Sequence, residues 1–110
     1  MSLKNPTSQS VVLSSGQTVS AEFETRGEVI CGILFPAALT GTQITFQAVI
    51  DGSDYDIYGE DGTQSPITFT ASAFVPLFTD SWFGVNKLKI KSNATELANR
   101  TFKILTRARD

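Results

Sequence analysis

Apolar and polar residues alternate with a period of two along most of the chain, in short runs separated by Gly, Pro, Asp and Ser turns. That is the pattern of half-buried β-strands rather than helices. A polar arm ending near Pro6 precedes a first predicted strand over 8–13, and Ser14-Ser15-Gly16-Gln17 turns the chain into a second over 18–24, with Val19, Ala21 and Phe23 facing in. Further strands are predicted over 28–35, closed by Pro36, and over 42–50, where Ile44, Phe46, Ala48 and Ile50 share the inward face. Asp51-Gly52-Ser53-Asp54 and Gly59-Glu60-Asp61-Gly62 are turn sequences on either side of a strand through Tyr55 to Tyr58. A strand over 67–70, a segment over 73–84 and strands over 87–91 and 101–107 bring the total to about eight. Asn93 with Glu96 three residues on has the spacing of a capped helical turn or of a decorated loop. Strands of this number and spacing predict an all-β fold, an antiparallel two-sheet β-sandwich of jelly-roll or immunoglobulin-like arrangement.

One run breaks the alternation. In Val29-Ile30-Cys31-Gly32-Ile33-Leu34-Phe35 both sets are apolar, Val29, Cys31, Ile33 and Phe35 on one side and Ile30 and Leu34 on the other. A sandwich strand normally shows one face to water, so the face with Ile30 and Leu34 is expected to be covered by a loop or by another subunit, and a subunit interface is the reading taken forward.

At 110 residues, with 41% hydrophobic and 18% charged residues, the chain has material for a single core. The expected organisation is a flexible arm over 1–7 and one domain over 8–110. Histidine is absent and Cys31 is the single cysteine, which excludes an internal disulfide, a CxxC redox pair and a Cys/His zinc cluster, and removes the commonest general base. Cys31 is expected to pack as a small hydrophobe. The chain therefore reads as a non-enzymatic protein without cofactor or metal. The first ten residues carry Lys4 and no apolar run, and no stretch approaches the roughly 20 apolar residues that span a bilayer, so synthesis in the cytoplasm with no membrane partner is expected. The triplets Asn93-Ala94-Thr95 and Asn99-Arg100-Thr101 would be glycosylation acceptors only in a secreted protein.

Asp51, Asp54, Asp56, Glu60 and Asp61 form the one acidic cluster. An EF-hand register from Asp54 puts Asp56 and Gly59 in place, but it puts Tyr58 at position five and Ser65 where a bidentate Glu is required, so solvated turn carboxylates are expected. Among the aromatic residues Phe69, Phe74, Phe78, Trp82 and Phe83, phenylalanine predominates and points to packing, whereas Tyr55, Tyr58 and Trp82 could form a glycan-binding platform. Charge is uneven: residues 1–86 hold two basic against nine acidic side chains, −7, and residues 87–110 hold seven against two, +5. Alternation places Lys87, Lys89, Lys91, Lys103 and Arg107 outward on the last two strands, a basic stripe suited to an acidic protein surface. The net negative charge and the absence of interleaved aromatics argue against a nucleic-acid partner.

With these residues in view, the segments Phe35-Pro36-Ala37-Ala38-Leu39-Thr40-Gly41-Thr42-Gln43-Ile44-Thr45-Phe46-Gln47, Asp51-Gly52, Tyr55-Asp56-Ile57-Tyr58, Asp61-Gly62, Leu88-Lys89-Ile90-Lys91-Ser92 and Arg100-Thr101-Phe102-Lys103-Ile104 resemble small structural proteins of tailed-phage virions. The chain is similar in particular to the capsid decoration, or staple, proteins of epsilon15-type podophages. The resemblance implies a jelly-roll or carbohydrate-module-like sandwich that binds the outside of the icosahedral shell and bridges neighbouring major capsid proteins, as a homodimer at two-fold positions. The family has no catalytic motif to transfer. The expectation is a cement protein, and the alternative is a carbohydrate-binding module for adsorption to host glycans.

Overall fold

Ile44, Phe46 and Ala48 project from one side of a single extended strand, as do Leu88 and Ile90, Phe102 and Ile104, and Val11 and Leu13. Each strand can hide only one side, so burying all of these requires two sheets face to face. The computed structural model describes residues 7–26, 28–57, 66–77 and 86–107 and has that arrangement. Its strands are β1 (Thr7–Leu13), β2 (Phe23–Glu24), β3 (Val29–Leu34), β4 (Gln43–Ile50), β5 (Ser53–Asp56), β6 (Ile67–Thr68), β7 (Phe74–Pro76), β8 (Lys87–Ser92) and β9 (Arg100–Arg107). One sheet has the order β1-β9-β3-β7 and the other β2-β8-β4-β5, with β6 also on β4; every pairing is antiparallel. The first strand lies beside the last and the second beside the last but one, the nested Greek-key order of a jelly roll. Phe35 ties the core together, with its ring edge-on to Phe69 at 5.4 Å and to Phe102 at 6.0 Å.

Strand-rich sandwiches must protect their edges. Here two segments cross from sheet to sheet. Residues 17–25 bond to both sheets, with Ala21 N–H donating to Val12 O, and Ser20 N–H to Ile90 O. On the other side β6 pairs with β4 and β7 with β3, so residues 67–76 also span the layers. The crossing explains why the expected strand over 18–24 shrinks to Phe23–Glu24. The segment turns between sheets, so Ser20 is buried and takes the Ile90 N–H on its hydroxyl, while Ala21 is exposed. Ile50, expected inside, is half exposed, because the β4–β5 hairpin runs past the core to a turn in which Asp51 and Gly52 both have positive φ, +52° and +79°. Asp-Gly favours that left-handed pair. No helix forms at 93–99; the segment is a loop. Thr7, expected in the arm, pairs with Thr106 in β1, and Met1 to Pro6 lie outside the described residues.

The two-sided apolar strand is also resolved. The β3–β9 register shifts between Ile30 and Gly32, placing Ile30 opposite Thr106 and Gly32 opposite Leu105. Cys31 is the extra residue of a β-bulge, which reverses the facing of everything before it. Ile30 therefore joins Ile33 and Phe35 in the core at 3% exposure, and Leu34 alone remains on the outer face, half buried. The pair expected at an interface is split between the two sides of the sheet. Lysine at Ile30 would bury an unpaired charge and is expected to cost about 4 kcal/mol or more, whereas Leu34→Lys should unfold within about 1 kcal/mol of the parent. Urea unfolding of the two variants measures the difference, and equal stability losses would refute the bulge register.

Candidate docking surface

The two outer faces carry different chemistry. On the β2-β8-β4-β5 sheet, Lys87, Lys89 and Lys91 stand outward along β8 while Leu88, Ile90 and Ser92 point in. Each lysine has an acid within reach: Lys87 Nζ lies 3.7 Å from Glu22, Lys89 Nζ 2.9 Å from Asp54, and Lys91 Nζ 3.7 Å from Asp56. The last two pairs pass over β4, which lies between β8 and β5. Asp54 and Asp56, two of the acids considered as cation ligands, are thus counter-ions to lysine, and Asp56 also accepts from Gln47 Nε2 at 2.9 Å. This face is a lattice of alternating charge, worth about 0 to 1 kcal/mol per pair.

The outer face of β1-β9-β3-β7 carries a patch of apolar side chains among small polar and basic ones. The register lays out one cross-strand row of Ser10, Lys103, Leu34 and Phe74, and a second of Ser8, Leu105, Gly32 and Pro76. A shallow groove of about 410 Å³ runs between Ser8, Leu34, Phe74, Lys103 and Leu105. Phe74 is 48% exposed. Its ring lies against the β3 backbone at Gly32, where a Cβ would collide with the ring and come within 2.8 Å of the Val75 carbonyl. Glycine at position 32 is what lets the ring lie across the strand. Val12, at 40% exposure, extends the apolar area along β1.

The basic stripe expected from alternation is therefore divided. Lys87, Lys89 and Lys91 lie on one outer face, Lys103 and Arg107 on the opposite one, with the core between them. The physical reason is the crossover after β8, which carries the next strand to the other sheet. Of the glycan platform, Tyr55 is 53% exposed on the edge hairpin, while Tyr58 and Trp82 lie outside the described residues, as do Glu60 and Asp61. Phe69 packs into the core region against Phe35. No cluster of three or more acidic, Cys or His side chains suited to a metal occurs among the described residues.

Comparison with family models, with curated proteins and with solved structures gives no match.

The end of the sandwich after β8 is organised by a residue that strand patterning does not single out. Glu96 has no exposed surface. Its carboxylate accepts the Thr40 and Gly41 backbone N–H groups at 2.8 and 3.0 Å, the Ser92 hydroxyl at 2.8 Å and Arg100 Nε at 2.9 Å. Burial raises its pKa, but the bonds from Thr40, Arg100, Gly41 and Ser92 outweigh that and hold the carboxyl at about 2 against an ordinary 4.5. Asn93 acts beside it, its Oδ1 accepting from the Thr42 and Gln43 N–H groups. The Asn93/Glu96 spacing carried a signal for a polar cap, and the caps are real, but they satisfy the β3–β4 connection rather than a helix.

Because folding lowers the Glu96 pKa, its contribution is complete above pH 4.5 and is lost as pH falls from about 4.5 towards 2, about 3 kcal/mol in all. Glu96→Gln should lose a comparable amount at pH 7 and flatten stability across that acid range. Urea midpoints of parent and variant at pH 7, 4.5 and 2.5 check this, and an acid slope unchanged in the variant would assign the loss to other groups. Gly32→Ala should displace the Phe74 ring and strain the β3–β7 pairing, at about 1 to 3 kcal/mol. Thermal unfolding measures the cost, and an unshifted midpoint would show that the ring moves aside freely.

Proposed function

We propose that the chain is a non-enzymatic virion protein of a tailed phage, made in the host cytoplasm, that decorates the outer surface of an icosahedral capsid and cements it by bridging major capsid proteins. The observation that carries this reading is the outer face of the β1-β9-β3-β7 sheet, where Phe74, Leu34 and Leu105 line a shallow groove and Val12 is exposed farther along β1. Such a face, rimmed by Ser8, Ser10 and Thr101, has the make-up of a protein contact. The jelly-roll order also occurs in viral capsid and lectin domains, support that is fold-level analogy alone. Cementing needs no catalysis. A protein that binds the assembled lattice better than free subunits stabilises the lattice by mass action.

The glycan-binding alternative rests, among the described residues, on Tyr55, a half-exposed ring on an edge strand. The test mixes the purified chain with undecorated heads, with disassembled capsid protein and with a glycan array. Co-sedimentation with heads alone is expected, and Phe74→Asp should weaken retention at least about tenfold, or 1.4 kcal/mol, while Tyr55→Ala leaves it unchanged. Glycan capture that depends on Tyr55, without retention on heads, would replace the cement reading with the adsorption one.

A further inference from the structure

Lysines are treated differently on the two faces. The three on β8 each have a carboxylate within 4 Å. Lys103 has no ion pair among the described residues, although it stands in the middle of the apolar sheet between Ser10 and Leu34 and lines the groove with Phe74 and Leu105. The described acids are all engaged or placed elsewhere. Glu22 faces Lys87, and Glu24 lies on β2 in the other sheet. Glu28 accepts from the Thr106 and Thr7 hydroxyls. Asp51, Asp54 and Asp56 belong to the β4–β5 hairpin, and Glu96 is buried under Arg100.

A partner that closes over this face removes water from the Lys103 ammonium. Burying that charge unpaired costs several kcal/mol, enough to cancel most of what the surrounding apolar contact supplies. The occupant must therefore bring a negative charge to a fixed place. We infer that the groove receives, from the major capsid protein, an apolar side chain flanked by a carboxylate, the apolar group seated between Leu34, Phe74 and Leu105 and the carboxylate paired with Lys103. The Ser8 hydroxyl, on the same groove, is a donor for the second carboxylate oxygen. The same lysine rejects a basic surface of similar shape, so it sets specificity as well as rate. This inference rests on the cement reading and adds the chemistry of the contact.

The decisive experiment measures binding kinetics of the parent, Lys103→Met, Lys103→Glu and Lys89→Met to undecorated heads at low and high ionic strength, with sedimentation of the chain alone alongside. Lys103→Met keeps the apolar stem and removes the charge. It is expected to bind about tenfold more weakly with a flattened salt dependence, Lys103→Glu about a hundredfold more weakly, and Lys89→Met like the parent. Parent binding that neither Lys103 variant alters in affinity or salt dependence would overturn this inference and leave the cement reading standing. A parent that does not bind heads would sink the cement reading and this one with it. A dimer of the chain alone that is lost in Lys103→Glu would assign the groove to a second copy instead of the capsid.

Discussion

Most of the order at one end of the sandwich depends on a single buried carboxylate. Glu96 gathers two backbone N–H groups from the β3–β4 connection, a hydroxyl from the end of β8 and a guanidinium from the start of β9. The two N–H groups lie more than fifty residues from Glu96 in sequence and are orphan donors that no strand ladder satisfies, whereas the hydroxyl and the guanidinium come from four residues away on either side. A neutral side chain of the same shape could not accept four such bonds. The backbone around it is tied in the same way, with Glu96 N–H donating to Gln17 O and Gly16 N–H to Glu96 O. The β1–β2 turn, the β3–β4 connection and the β8–β9 loop thus share one electrostatic centre, so the fold's long crossovers start from fixed points.

The same economy appears at the faces. On the β2-β8-β4-β5 sheet charge is neutralised within the molecule, and the ion pairs span the strands they cover. On the other sheet apolar groups, Lys103 and Arg107 are left without an ion pair among the described residues. An internally satisfied face has little to gain from a partner, because each ion pair would have to be broken or desolvated first. An unsatisfied one has more to gain, and the asymmetry gives the molecule a direction.

The sandwich itself was legible in the sequence because period-two alternation depends only on the pleat. Ile44, Phe46 and Ala48, Leu88 and Ile90, and Phe102 and Ile104 all lie where alternation puts them. What local pattern could not carry was anything set by the partner strand. The bulge at Cys31 is invisible in Val29 to Phe35, since skipping one residue is a property of the pairing with β9, and it turned an apparent two-faced strand into an ordinary one. The splitting of the lysines is likewise topological: two consecutive strands look adjacent in sequence and lie in different sheets. Ser20 and Ala21 misled for the reverse reason, because a segment crossing between sheets has no constant inside. The Asn93/Glu96 spacing is compatible with a capped turn or a decorated loop, and only the groups that the β3–β4 connection brings to it select the loop.

Pairing of β1 with β9 sets Thr7 directly across from Thr106. The chain therefore enters and leaves the four-stranded sheet at one point, about 20 Å along the strands from the Glu96 loop at 3.3 Å per residue. A peptide linking residue 107 back to residue 7 would need to span only a strand spacing. The architecture is in this sense nearly circular, and new ends could be opened at the Asp51-Gly52 turn with the sheet order unchanged.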